Sequence, residues 1–186
     1  MGATYLSMQL RTTDRAATIA ALEQIVAENA AAGLRYYVAE PFGGWLTVCP
    51  NFTPELERCG KTLSARLGCL VVLLLSADED DLYCMFFRAG KQLPWFKVGV
   101  GKTRRGKERA KLAAKLDALA EVCDEAARDN LTTILADTTG VTYSSDLLRA
   151  FCEATAIPNA FTSFDYLERG ERDGLATPGD PTLVTA

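Results

Sequence analysis

The stretch that decides the fold reads CLVVLLLS over residues 69–76. All residues between its first and last are apolar, so a strand formed here is apolar on both of its alternating faces. Such a strand is typical of a sheet that is covered on both sides. This run is the longest apolar run in the chain, and a membrane-spanning helix, which needs about 20 apolar residues in succession, is not expected. We therefore expect a buried central strand, with helices packed against both faces of its sheet.

The residues before this central strand predict a strand, a helix, a hairpin and a second helix. Residues 5–10 alternate between apolar side chains and the polar Ser7 and Gln9, which indicates a strand with one face buried. Two β-rich runs at 35–39 and 45–49, separated by a Gly-Gly turn, indicate the hairpin. Apolar residues at helical spacing indicate the two helices. The resulting order, β-α-β-β-α-β, is that of the ferredoxin-like plait, a twisted antiparallel sheet with both helices on one face.

The residues after the central strand extend the sheet and then cover it. Two further strands form a β-hairpin at the edge of the plait, the second of them over about residues 93–100. Helical patterns fill residues 102–169, and we expect these C-terminal helices to cover the second face of the sheet. The fold class is therefore α+β, a single domain over residues 1–169 with its sheet part in 1–101. Residues 170–186 are rich in Gly, Pro, Asp and Thr and are expected to form a flexible C-terminal tail.

The chain contains no histidine, which removes the usual general base of hydrolases and the commonest ligand of zinc enzymes. Its six cysteines include no C-x-x-C pair, so we interpret them as reduced and mostly buried thiols. The N-terminus lacks the basic and apolar segments of an export signal, and we expect a cytoplasmic protein. These absences favour a protein that holds no cofactor and is not an enzyme. Carboxylates, a lysine or an activated cysteine stay open as catalytic groups.

A basic segment spans residues 97–115, where eight cationic residues accompany a single acid, Glu108. The segment carries a charge of +7 and the rest of the chain a charge of −11, which is an uneven separation. If the segment is helical, Arg104, Lys107 and Lys111 share one face. The residues that we expect to contact a partner are Lys97, Lys102, Arg104, Arg105, Lys107, Arg109 and Lys111.

Three interpretations of the basic segment stay open. It is a solvated helix face, a site for an acidic surface of another protein, or a site for nucleic acid. The pI of about 5.0 argues against a dedicated DNA-binding protein. The leading prediction is a non-catalytic interaction module that binds an acidic protein surface, with a nucleic-acid-associated protein as the alternative.

Three other stretches carry weaker signals. The loop 99–103 lies between a predicted strand and a predicted helix, but Phe96 occupies the position of the first glycine of a phosphate-binding loop. An acidic turn offers Asp78 and Asp80 as weak candidate ligands for a divalent cation, so a carboxylate metal-dependent enzyme is a further alternative. The aromatic segment 161–167 either docks the end of the chain onto the core or presents an apolar patch to a partner.

Overall fold

The computed structural model describes residues 4–77, 80–177 and 179–186. Within these ranges the chain has an α+β fold with one antiparallel eight-stranded sheet and six α-helices, none of which is long and apolar enough to cross a membrane. The strands are β1 (Tyr5–Leu10), β2 (Tyr36–Val38), β3 (Leu46–Pro50), β4 (Val71–Ala77), β5 (Asp81–Arg88), β6 (Lys91–Gln92), β7 (Phe96–Gly99) and β8 (Thr182–Val184). The helices are α1 (Arg15–Glu28), α2 (Leu56–Leu67), α3 (Lys107–Leu116), α4 (Glu125–Ala136), α5 (Ser144–Thr155) and α6 (Phe164–Glu168).

The sheet has the strand order β6-β5-β4-β1-β3-β2-β8, and β7 pairs with β5 at the same edge as β6. Every neighbouring pair is antiparallel. β1 lies near the middle, since Gln9 pairs with Val72 of β4 on one side and with Thr47 of β3 on the other. As a result, α1 connects β1 to β2 across β3, and α2 connects β3 to β4 across β1.

The central strand β4 separates two layers of apolar core. Val71 and Leu73 pack into the core formed with α1 and α2, whereas Val72 and Leu74 pack into the core formed with α3, α4 and α5. None of these four side chains is more than 3% exposed. The sheet is therefore covered on both faces, as the apolar run predicts.

Strand β1 is also buried on both faces, which differs from the single buried face expected from its sequence. Ser7 and Gln9 are 0% exposed although they are polar. The Gln9 amide donates to the Ser7 hydroxyl (2.9 Å) and to the Asn159 carbonyl (3.2 Å), and it accepts a hydrogen bond from Thr47 (2.8 Å). Because these polar groups bond to one another and to the chain that follows α5, they can be buried at little cost.

Of the strand predicted over residues 93–100 only β7 is formed, and the two-residue strand β6 lies before it, next to the predicted turn. Between them lies Pro94, which has no backbone N–H to donate to a neighbouring strand. β6 pairs with the end of β5 at Phe87, and β7 pairs with the part of β5 around Leu82. The edge of the sheet is therefore made of two short pieces.

The end of the chain forms a strand, whereas the sequence predicts a flexible tail over residues 170–186. β8 pairs with β2, where Val184 lies opposite Tyr36, and Val184 is only 4% exposed. Arg15 of α1 also donates a hydrogen bond to the Thr182 hydroxyl at 2.7 Å. Without β8, β2 would be an edge strand with unpaired backbone groups. A run of three β-forming residues is too short to be recognised in a stretch rich in Gly and Pro.

Candidate functional site

The basic segment begins in β7 and continues in a loop that is held against the end of α4. The Gly101 N–H donates to the Thr138 carbonyl at 2.9 Å, and the Arg104 N–H donates to the Ala136 carbonyl at 2.6 Å. The Thr138 N–H donates back to the Lys102 carbonyl at 2.8 Å. A phosphate-binding loop needs several free N–H groups that point at its ligand. The amides of this loop are instead used within the chain.

Helix α3 begins at Lys107, later than helical spacing in the segment suggests. Gly106 has a φ of 50°, in the left-handed region that favours glycine, and it separates α3 from the residues before it. Arg104 and Arg105 therefore lie outside the helix. The shared face expected for Arg104, Lys107 and Lys111 is not formed by one continuous helix, although Lys107 and Lys111 are one turn apart in α3.

Lys97 is separated from the cations of α3 by the sheet. Its neighbours Phe96 and Val98 pack into the core beneath α3, so the Lys97 side chain lies on the opposite face. There its Nζ lies 2.7 Å from Asp81 Oδ2 and 4.8 Å from the centroid of the Tyr83 ring. The hydrogen bond to Asp81 raises the pKa of Lys97. This cation is paired locally and does not share a surface with α3.

Two arginines of the basic segment connect parts of the fold. Arg104 donates one hydrogen bond to the Leu135 carbonyl at 3.3 Å and another to the Lys97 carbonyl at 3.2 Å, which ties the loop to α4 and β7. Arg109 donates to the Thr133 hydroxyl of α4 at 3.0 Å. Both guanidinium groups keep their charge, but part of their hydrogen-bonding capacity is used inside the chain.

Four cations of the segment are exposed, and their side chains have no hydrogen-bond or ion-pair partner in the part of the chain that the structure describes. Farther along α3, the Lys115 Nζ lies 5.7 Å from the centroid of the Trp95 ring, and Trp95 is 43% exposed. The four exposed cations are Lys102, Arg105, Lys107 and Lys111. Lys102 lies apart from the other three, because its Nζ is beside Gly99 of β7 and close to Asp81 Oδ1, on the side of the sheet that carries Lys97. We call the remaining five residues together the α3 surface: Trp95, Arg105, Lys107, Lys111 and Lys115.

Two acids lie beside the α3 surface and interrupt its positive charge. Glu108 is in the first turn of α3, and Asp137 follows α4. Asp137 accepts hydrogen bonds from the hydroxyls of Thr139 (2.8 Å) and Thr103 (3.1 Å). The bonds from Thr139, then the bond from Thr103 and the charge of Arg105, lower the pKa of Asp137. Asp137 is therefore a stable negative charge at the border of the surface.

Of the two weak metal candidates, the structure describes only Asp80. Asp78 lies outside the described residues. Asp80 is in the turn before β5, where its carbonyl accepts a hydrogen bond from the Val100 N–H at 2.9 Å. Within residues 4–77, 80–177 and 179–186, no three Cys, Asp or Glu side chains are grouped so that they could hold a metal ion.

All six cysteines are free thiols. Burial raises the pKa of Cys49 and of Cys152 to about 12, and it raises the pKa of Cys84 well above its usual value. The thiolate is the reactive form of cysteine. These buried thiols are therefore unreactive near neutral pH.

A cavity of about 270 Å³ lies where the last part of the chain folds against the start of β1. No sequence motif relates the lining residues of this cavity to one another. The sequence signal that pointed to this region was the aromatic segment 161–167, which contributes three of the lining residues. The acids come from the stretch that was expected to be a tail. The lining residues are Tyr5, Phe161, Thr162, Tyr166, Glu171, Asp173 and Gly174.

Comparison of the chain with models of protein families, with curated proteins and with solved structures finds no match. A function can therefore be inferred only from the α3 surface, the cavity and the chemistry of their residues.

Proposed function

We propose that this chain is a non-catalytic interaction module that binds an acidic surface of another protein through its α3 surface. The observation that carries the proposal is the group of three exposed cations on the α3 surface, whose side chains make no hydrogen bond or ion pair to the described residues. Unpaired charges on a folded surface attract groups of opposite charge and raise the rate of encounter. The three cations are Arg105, Lys107 and Lys111.

Two features favour an acidic protein over nucleic acid as the partner. Trp95 is exposed beside Lys115, and tryptophan is enriched at the energetically important positions of protein interfaces. Glu108 and Asp137 interrupt the positive charge, and the chain outside the basic segment carries a charge of −11. A continuous phosphate backbone is repelled by such acids, whereas a protein surface of limited size can avoid them.

We also infer that β1 to β4 with α1 and α2 form a ferredoxin-like plait. The antiparallel order β4-β1-β3-β2 and the packing of both helices into one core support this interpretation. A cytoplasmic location is proposed as well. The six free thiols support it, because an oxidising compartment favours disulfides.

Binding to poly-L-glutamate tests the proposed function, with single-stranded RNA as a second ligand. The wild-type protein should bind poly-L-glutamate at low salt and release it as salt rises, because exposed charges are screened. Lys107→Glu should weaken this binding about fivefold, since one attraction is lost and one repulsion is added. Lys91→Glu makes the same charge change at an exposed position of β6 and should change the affinity less than about twofold.

Each other outcome contradicts the proposal in a different way. RNA that binds more tightly than poly-L-glutamate, with the same loss in Lys107→Glu, would assign the α3 surface to nucleic acid. Equal effects of Lys107→Glu and Lys91→Glu, or no binding at low salt, would show that the α3 surface is a solvated helix face.

A further inference from the structure

The cavity beside the start of β1 has walls made of three aromatic rings. The ring centroid of Tyr5 lies 5.5 Å from that of Phe161 and 5.8 Å from that of Tyr166. On these rings the chain already places two cations, since Arg149 lies 5.0 Å from the Phe161 centroid and Arg169 lies 5.0 Å from the Tyr166 centroid. Aromatic faces attract cations and also pack against alkyl groups. The walls therefore suit a ligand that is both cationic and partly apolar.

Two carboxylates complete the lining, and one of them is unpaired. Glu171 accepts a hydrogen bond from Arg169 Nε at 2.7 Å, which neutralises its charge and lowers the pKa of Glu171. The Asp173 side chain has no ion-pair or hydrogen-bond partner in the described part of the chain. The lining therefore keeps one negative charge for a further cation.

A buried hydroxyl in the same lining also has no partner. Thr162 is 1% exposed, and its Oγ1 makes no hydrogen bond to any described residue. An unpaired buried polar group is unfavourable, so most such groups in folded proteins are found with a partner. Gly174 packs directly against the Phe161 backbone, where any side chain would overlap the carbonyl oxygen. This close approach holds the acidic stretch beside Thr162.

We propose that this cavity binds a primary ammonium group carried on a short alkyl chain. The ammonium N–H groups donate to Thr162 Oγ1 and to the Asp173 carboxylate, while the methylene groups pack against Tyr5 and Tyr166. A quaternary ammonium has no N–H for Thr162, and the lining lacks the group of three acidic side chains that would hold a metal ion, as does the rest of the described chain. The volume of about 270 Å³ equals that of roughly nine water molecules, which accommodates an amine of the size of a lysine side chain.

Calorimetric titration of the full chain with 1,5-diaminopentane and with Nα-acetyl-lysine amide tests this proposal. At least one of the two amines should bind saturably in the millimolar range or more tightly. The neutral 1,5-pentanediol should not bind, because it lacks the charge. If the diamine binds more tightly, the ligand is a free amine, and if the lysine derivative does, the ligand is a lysine side chain of a polypeptide.

Two variants separate a binding role from a structural one. Asp173→Asn should weaken amine binding about fivefold, whereas Asp165→Asn, the same change at an exposed acid outside the lining, should alter it less than about twofold. Thr162→Val should weaken binding as well, yet raise the thermal midpoint of the free protein by about 2–4 °C, because it removes an unpaired buried hydroxyl.

Three results would overturn the proposal. The first is no saturable binding of either amine. The second is equal binding of the diol and the diamine. The third is an equal effect of Asp173→Asn and Asp165→Asn on amine binding.

Discussion

The substitution Gln9→Glu tests the buried polar contacts that join the sheet to the chain after α5. The Gln9 side chain donates to the Ser7 hydroxyl and to the Asn159 carbonyl, and its oxygen accepts from Thr47. Glutamate has nearly the same shape, so it keeps the contact with Thr47. As a carboxylate, however, it has no proton to donate and faces the Asn159 carbonyl with an acceptor.

The expected loss of stability depends on pH, because burial raises the pKa of such a carboxyl group. The protonated acid has one donor where the amide has two, so it loses about 1–2 kcal/mol. Keeping it protonated near pH 7 costs a further 3–4 kcal/mol, since an ordinary glutamate has a pKa of about 4.3 and each unit is worth about 1.4 kcal/mol. A raised pKa in the folded state means that stability is present at low pH and is lost as pH rises. We therefore expect Gln9→Glu to lose about 4–6 kcal/mol near pH 7 and about 1–2 kcal/mol near pH 4.

Urea unfolding of wild type and variant at both pH values measures this difference, because the wild type corrects for all other titrating groups. Gln24→Glu is the control, since Gln24 is exposed on α1, and it should change stability by no more than about 0.5 kcal/mol at either pH. If Gln9→Glu loses the same free energy of unfolding at both pH values, the carboxylate reaches water or a cation. The polar contacts of Gln9 would then be open to water, in contrast to the buried contacts of the structure.

Two further predictions concern the end of the chain and the buried thiols. Val184→Ala should cost about 1.5–3 kcal/mol in urea unfolding, whereas Leu183→Ala, at a residue that is 46% exposed, should cost less than about 1 kcal/mol. Equal losses would mean that β8 does not pack as described. Burial raises the pKa of Cys49 from 9.0 to about 12. The stability that this raised pKa contributes is therefore fully present below pH 9 and is lost at higher pH. When the pH rises from 8 to 10, the free energy of unfolding of Cys49→Ala should therefore fall by about 1.4 kcal/mol less than that of the wild type. An equal fall in both proteins would contradict burial of the Cys49 thiol as the cause.

Side-chain alternation made the main architecture predictable. A strand that is apolar on both faces has to be covered on both, and this property of residues 69–76 is enough to require two helical layers. The same rule places Lys97 as well, because the apolar Phe96 and Val98 on either side of it pack under α3. If these residues are treated as a strand and not as part of a helix, their alternation predicts that Lys97 does not lie on the α3 surface.

Other features depend on contacts between residues that are far apart in the chain. Ser7 and Gln9 alternate with apolar residues, a pattern that indicates an exposed face unless polar partners cover it, and Asn159 is such a partner. The cavity likewise combines Tyr5 with Thr162 and Asp173. No spacing in the sequence relates these residues, so neither the buried polar contacts nor the cavity could be predicted from local pattern.

The chain between α5 and α6 connects these two unpredicted features. The Asn159 carbonyl accepts the hydrogen bond from Gln9, and the Asn159 side chain accepts one from the Ala176 N–H at 2.5 Å. The same short stretch carries Thr162, which lines the cavity and whose buried hydroxyl has no partner among the described residues. A ligand that bonds Thr162 and Asp173 would therefore hold together two stretches that Asn159 already joins to each other and to β1. Binding in the cavity and the contacts of Gln9 act on the same piece of backbone, so each should stabilise the other. The bond to the Asn159 carbonyl is itself a physical reason for a polar residue in the centre of the sheet, because an apolar residue at this position could not hold that carbonyl.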